Sequence, residues 1–129
     1  MTTRDLWAEL ESVIKEVTSV SDIRAAAVVR RDGLIITHNL PDGVDPRTTA
    51  AMTAAIVGTS EMATVQLGQG RFEQALIESE GGKLVSTGAG DQALVIALAY
   101  RDANLGLVMM ALRKASRKVD QILRRAEGG

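Results

Sequence analysis

The sequence has no cysteine, one histidine, two prolines and three aromatic residues. Without cysteine there can be no disulfide, no thiolate metal ligand and no thiol nucleophile, which suits a reducing compartment. His38 is the sole histidine, so a metal site would need carboxylates alone, and a serine triad has no other candidate base. Trp7, Phe72 and Tyr100 are too few and too scattered to form a stacking platform for single-stranded nucleic acid. A formal net charge of −1 gives no electrostatic reason to expect nucleic acid or an anionic membrane as partner. Long apolar runs are missing as well. Ala93 to Tyr100 and Leu105 to Leu112 are too short to span a bilayer, and Met1 to Glu11 has no signal-peptide core. A cytoplasmic protein without cofactor or metal, and not an enzyme, is the expectation.

What is present suits one folded domain over residues 1–129, with 46% hydrophobic and 24% charged residues. Leu6, Leu10, Val13, Ile14 and Val17 recur at helical spacing, and Thr2 or Thr3 supplies a cap for a first helix. Ile23 to Arg30 is an apolar strand, Arg31-Asp32-Gly33 a hairpin turn and Leu34 to Asn39 the return strand. Asp45-Pro46 starts a helix with a capping carboxylate and proline at its first position. That helix should run to about Leu67 and stop at Gly68 or Gly70. Strands are predicted over Phe72 to Ser79, Lys83 to Thr87 and Ala93 to Tyr100, then a helix over Leu105 to Arg125. The order α-β-β-α-β-β-β-α implies an α/β (α+β) fold, a single five-stranded, mainly antiparallel sheet with helices on both faces. Ala93 to Tyr100, apolar at nearly every position, belongs at its centre.

The middle helix is unusual. From Thr48 to Leu67 its only charge is Glu61. Wound at about 100° per residue, it shows two apolar faces instead of one. Met52, Ile56, Ala63 and Leu67 form one, large enough to grip a sheet. Ala51, Ala54, Ala55, Gly58, Met62 and Val65 form the other, with uncharged seams between them, Thr59 and Gln66 on one side and Thr53, Ser60 and Thr64 on the other. One sheet covers one face; a wet second face would be a contiguous apolar patch, which soluble monomers avoid. The small-residue face is therefore expected to meet a second copy across a two-fold axis, the alternative being a monomer in which a long loop buries the helix. Phe72, Gln74 and Leu76 lie on a strand that reads as a sheet edge, so pairing across the same axis is expected there too.

Several segments together resemble one known family. They are Arg31-Asp32-Gly33-Leu34, the alanine-rich helix ending Leu67-Gly68-Gln69-Gly70, the hairpin from Leu76-Ile77-Glu78 to Lys83-Leu84-Val85, and Asp102-Ala103-Asn104-Leu105-Gly106-Leu107. With the element order, they are similar to the Roadblock family of dynein light chain and Ragulator type, most of all its prokaryotic MglB-like branch. The resemblance covers roughly Leu6 to Leu123. It implies a Roadblock/profilin-like sheet with the middle helix on one face and the terminal helices on the other, and a homodimer whose sheet continues over ten strands. It also implies a non-catalytic scaffold that binds a Ras-like small GTPase, some relatives stimulating GTP hydrolysis.

Arg47 at the start of the middle helix, with Asp42 and Asp45 in the preceding loop, are the candidate partner contacts. The alternative function is a small-ligand sensor of PAS or GAF type, whose pockets are usually richer in aromatics than this chain. Gly88-Ala89-Gly90-Asp91-Gln92-Ala93 has the glycine spacing of a dinucleotide loop but leads into a strand, where that chemistry needs a helix N-terminus. The last helix carries Arg113, Lys114, Arg117, Lys118, Arg124 and Arg125 opposite the acidic first helix, a face that suits solubility or partner docking.

Overall fold

The computed structural model describes residues 2–128. Helix α1, Thr3–Thr18, starts at a reciprocal cap: the Thr2 hydroxyl accepts from the Asp5 amide while the Asp5 carboxylate accepts from the Thr2 amide. Strands β1, Ile23–Arg30, and β2, Ile35–His38, form the first hairpin. The Gly33 amide donates to the Arg30 carbonyl at 2.9 Å and the Arg30 amide to the Leu34 carbonyl at 2.8 Å. Only the glycine of the Asp-Gly pair has positive φ, at 95°, so this is a three-residue loop closed by a glycine bulge.

Helix α2, Pro46–Gln66, is followed by β3, Gln74–Ser79, β4, Gly82–Ala89, β5, Ala93–Ala99, and α3, Leu105–Gly128. The end of α2 is a Schellman closure. The Gly68 amide returns to the Val65 carbonyl and the Gln69 amide to the Thr64 carbonyl, at 3.0 and 2.9 Å, with Gly68 at φ 69°. All pairings are antiparallel, in the order β2-β1-β5-β4-β3. Apolar β5 is central and β3 is an edge. Gly88-Ala89-Gly90 is the end of β4 and its turn, not a nucleotide loop.

Helices α1 and α3 pack together on one face of the sheet over Val28, Val85, Val95 and Ala97, with Leu10, Val17, Val108, Leu112 and Val119 buried between. Across that pair, Glu16 of α1 bridges Lys114 at 3.0 Å and Lys118 at 2.6 Å, and Glu9 meets Arg125 at 3.2 Å. The hydrogen bond from Lys118, then that from Lys114, holds the Glu16 carboxyl below its ordinary range. A lowered folded-state value means the contribution is present above the unfolded-state value, about 4.3, and is lost as pH falls through the folded one. The Tm of the protein should therefore drop more steeply on acidification below about pH 5 than that of Glu16→Gln, by a small margin because both partners are exposed. Thermal melts of the two proteins across that range check it.

The opposite face carries α2, and here the expected orientation is corrected. The sheet is met by Ala50, Thr53 and Val57, with Ser60, Glu61 and Thr64 half-buried along the same stripe. Met52 is 56% exposed and Leu67 68%, and Ala63 is exposed too, so the set assigned to the sheet mostly faces out. The seam does the docking because its hydroxyls are satisfied within the helix. Thr53 donates to the Thr49 carbonyl, Ser60 to Ile56 and Thr64 to Glu61. Once paired this way, Thr and Ser present mainly methyl and methylene to a small core of Ala27, Val29, Leu94 and Ile96. Small residues also let the chain come close: a Cβ on Gly33 would lie 3.4 Å from the Ala51 Cα.

Candidate protein interface

The outer face of α2 is the feature with chemistry to explain. Ala51, Ala55, Met62 and Val65 are exposed, Met62 by 74% and Val65 by 72%, and Met52 and Ala63 widen the strip. Ala54 and Gly58 are half-buried at its border with the sheet. A Cβ on Gly58 would meet nothing within 4 Å, so the space beside it is open.

Beyond Arg47 in the first turn, the helix's one remaining charge does not interrupt this face. Glu61 turns toward the sheet end, where its Oε2 accepts from Arg31 Nη1 at 2.8 Å. Arg31 also donates through Nε and Nη2 to the Gly90 carbonyl, at 3.1 and 2.9 Å, and its own amide donates to the Gln92 carbonyl. One guanidinium thus joins the β1–β2 turn, the β4–β5 turn and α2. Gly88 makes room for it, since a Cβ there would lie 2.7 Å from Nη2. Sequence reasoning saw Arg31 only as part of a turn; its link to Glu61 spans 30 residues and no local pattern signals it.

Edge strand β3 divides its side chains between the two faces. Gln74 pairs with Thr87 and Leu76 with Val85, which places both on the α3 side, whereas Ile77, opposite Leu84, lies on the α2 side. Phe72 is half-buried against the α2-side core. Ile77, 40% exposed, therefore neighbours the apolar α2 layer and was missed because strand alternation alone does not say which face carries α2. Of the loop residues, Arg47 and Asp42 are exposed. Asp45 is occupied: it accepts from the Thr48 hydroxyl at 2.6 Å and the Arg47 amide at 3.2 Å, and these bonds lower its pKa, the Thr48 one most. Asp45 serves first as a helix cap.

A single antiparallel sheet with one helix on one face and an antiparallel pair on the other defines the Roadblock and profilin class of α/β domains. Profilin II of Acanthamoeba castellanii superposes with a TM-score of 0.62 at 13% identity, covering 83% of this chain and 92% of its own. The match is tighter to a structure described as MglB with tetrameric arrangement, with a TM-score of 0.86, 22% identity and coverage of 94% and 92%. The gliding protein MglB of Thermus thermophilus gives 0.85, with 22% identity and coverage of 93% and 92%. In sequence, the chain is 34% identical over 110 residues to the uncharacterized protein MJ1340 of Methanocaldococcus jannaschii, covering 85% of this chain and 96% of that one. The model of the Roadblock/LC7 domain matches residues 9–99. The chain belongs to the Roadblock/LC7 domain family.

Proposed function

We propose that this protein is a non-catalytic homodimeric scaffold that binds a Ras-like small GTPase. The observation that carries the reading is the outer face of α2: beyond Arg47 in the first turn, about five turns of helix present no outward charge, because Glu61 is drawn in by Arg31. Such a strip is unfavourable in water, and a two-fold related copy of the same strip is the simplest cover. Ala51, Ala54, Ala55, Gly58, Met62 and Val65 would form the helix contact, with Phe72, Gln74 and Leu76 near the paired edge strands. The tetrameric arrangement described for one MglB supports self-association in this fold.

The GTPase would sit across the paired helices, with Arg47 and Asp42 at the rim. Stimulation of hydrolysis, where it occurs, would come from ordering the GTPase's own switch loops, a positioning effect. The test is retention of a Ras-like GTPase, loaded with GDP or a GTP analogue, on the immobilised protein. Retention in one nucleotide state is expected, with about ten-fold weaker binding for Arg47→Glu, as for reversal of a rim charge. Equal absence of retention in both states contradicts the GTPase reading while leaving the dimer standing.

A further inference from the structure

A groove of about 990 Å³ opens at the end of the sheet where the chain enters β3 and β4 runs into its turn. One wall is α3, which contributes Arg113 and Ser116; Arg71 stands in the loop before β3; Gln74 and Thr87, cross-strand partners, lie between. Two of the arginines lining it are spoken for, Arg31 by Glu61 and Arg124 by Asp120 at 2.9 Å. Arg71 and Arg113 have no carboxylate within 4 Å among the described residues. The Thr87 hydroxyl is buried with no hydrogen-bond partner among the described residues, a state that buried polar groups rarely keep.

We propose that this groove takes a carboxylate-bearing segment of a partner polypeptide, held by Arg71 and Arg113. A guanidinium matches a carboxylate through two parallel N–H donors, and two such forks from different elements select acidic side chains on one strand of chain. The groove is open, and its volume exceeds what a lone carboxylate or phosphate fills, so a polypeptide is favoured over a small anion. Glu73 and Asp91 also line the groove. They repel excess negative charge, so a segment with a few spaced acids fits better than a dense polyanion. The groove borders the proposed dimer contact, sharing Phe72 and Gln74 with it, while Arg71 and Arg113 lie outside that contact; the inference does not rest on the GTPase reading.

The test is an amide-resolved NMR titration of the full chain with an acetylated Glu-Gly-Glu-Gly-Glu peptide, its Gln-Gly-Gln-Gly-Gln counterpart and inorganic phosphate at matched ionic strength. The acidic peptide is expected to shift the amides of Gln74, Thr87 and Ser116, and the other two to leave them in place. The double variant Arg71→Ser, Arg113→Ser should bind at least about ten-fold more weakly, as charge-assisted pairs are lost. Arg113→Lys, which keeps the charge without the fork, should fall between. Unchanged affinity in the double variant overturns the assignment. So do equal shifts with phosphate, and shifts confined to Lys114 and Lys118.

Discussion

Replacing Gly58 with glutamate is expected to leave the fold intact and to reduce the particle to a mass of 13.7 kDa. The substitution is clean because of where Gly58 sits. It lies in the interior of α2 with open space where its side chain would go, so the monomer has no steric reason to object. Glutamate also favours helix over glycine by roughly 0.5–1 kcal/mol, so the isolated helix should be no less stable. In a helix-to-helix contact across a two-fold axis, the same change would place two carboxylates in an apolar seam, each needing a partner that is not there. Light scattering of the variant beside the unaltered chain reads the result. A variant that keeps the mass of the parent would remove α2 from the interface.

Arg31→Ala is expected to lower stability by about 2 kcal/mol, the scale of losing charged hydrogen bonds to a part-buried carbonyl. The guanidinium is 27% exposed and makes two bonds to Gly90 in addition to the Glu61 pair. Glu61 itself is 43% exposed, so Glu61→Gln should cost much less. Lysine should not rescue position 31, because an ammonium cannot present the planar fork that spans the Gly90 carbonyl and Glu61 together. The expected signature goes beyond a lower urea midpoint. α2 rests on the sheet through only Ala50, Thr53 and Val57 as fully buried side chains, so faster amide exchange should concentrate in α2. Uniform exchange across the whole chain would mean that Arg31 fixes the sheet end alone.

Most of the architecture is visible in the sequence because each element carries its own boundary chemistry. Asp45-Pro46 starts α2 where expected, Gly68 ends it, and the apolar run of β5 puts that strand at the sheet centre. Strand ends were less visible. Phe72 and Glu73 have strand-like residues but lie outside β3, since the ladder with β4 begins only at Gln74 and Thr87. The facing of α2 was misjudged for a physical reason. Side-chain size made Met52 and Leu67 look like anchors and Thr53 and Thr64 look like a polar seam. Hydroxyls bonded back into their own helix behave otherwise, and a close-lying helix needs small residues underneath. The proposed contact set of Ala51, Ala54, Ala55, Gly58, Met62 and Val65 shares one side of the helix by periodicity alone, with Ala51, Ala55, Met62 and Val65 exposed and Ala54 and Gly58 half-buried. The Arg31–Glu61–Gly90 link could not be anticipated at all, since it joins three segments that only the folded sheet end brings together.

The absence of native cysteine offers a direct test of the paired-helix account, because a single introduced thiol can only cross-link to its own copy. With Ala55→Cys on the outer face of α2, mild oxidation is expected to give a covalent dimer in high yield, and Gln121→Cys, exposed on α3, is expected to stay monomeric under the same conditions. Equal yields at the two positions, or no cross-link through Cys introduced at Ala55, would contradict it.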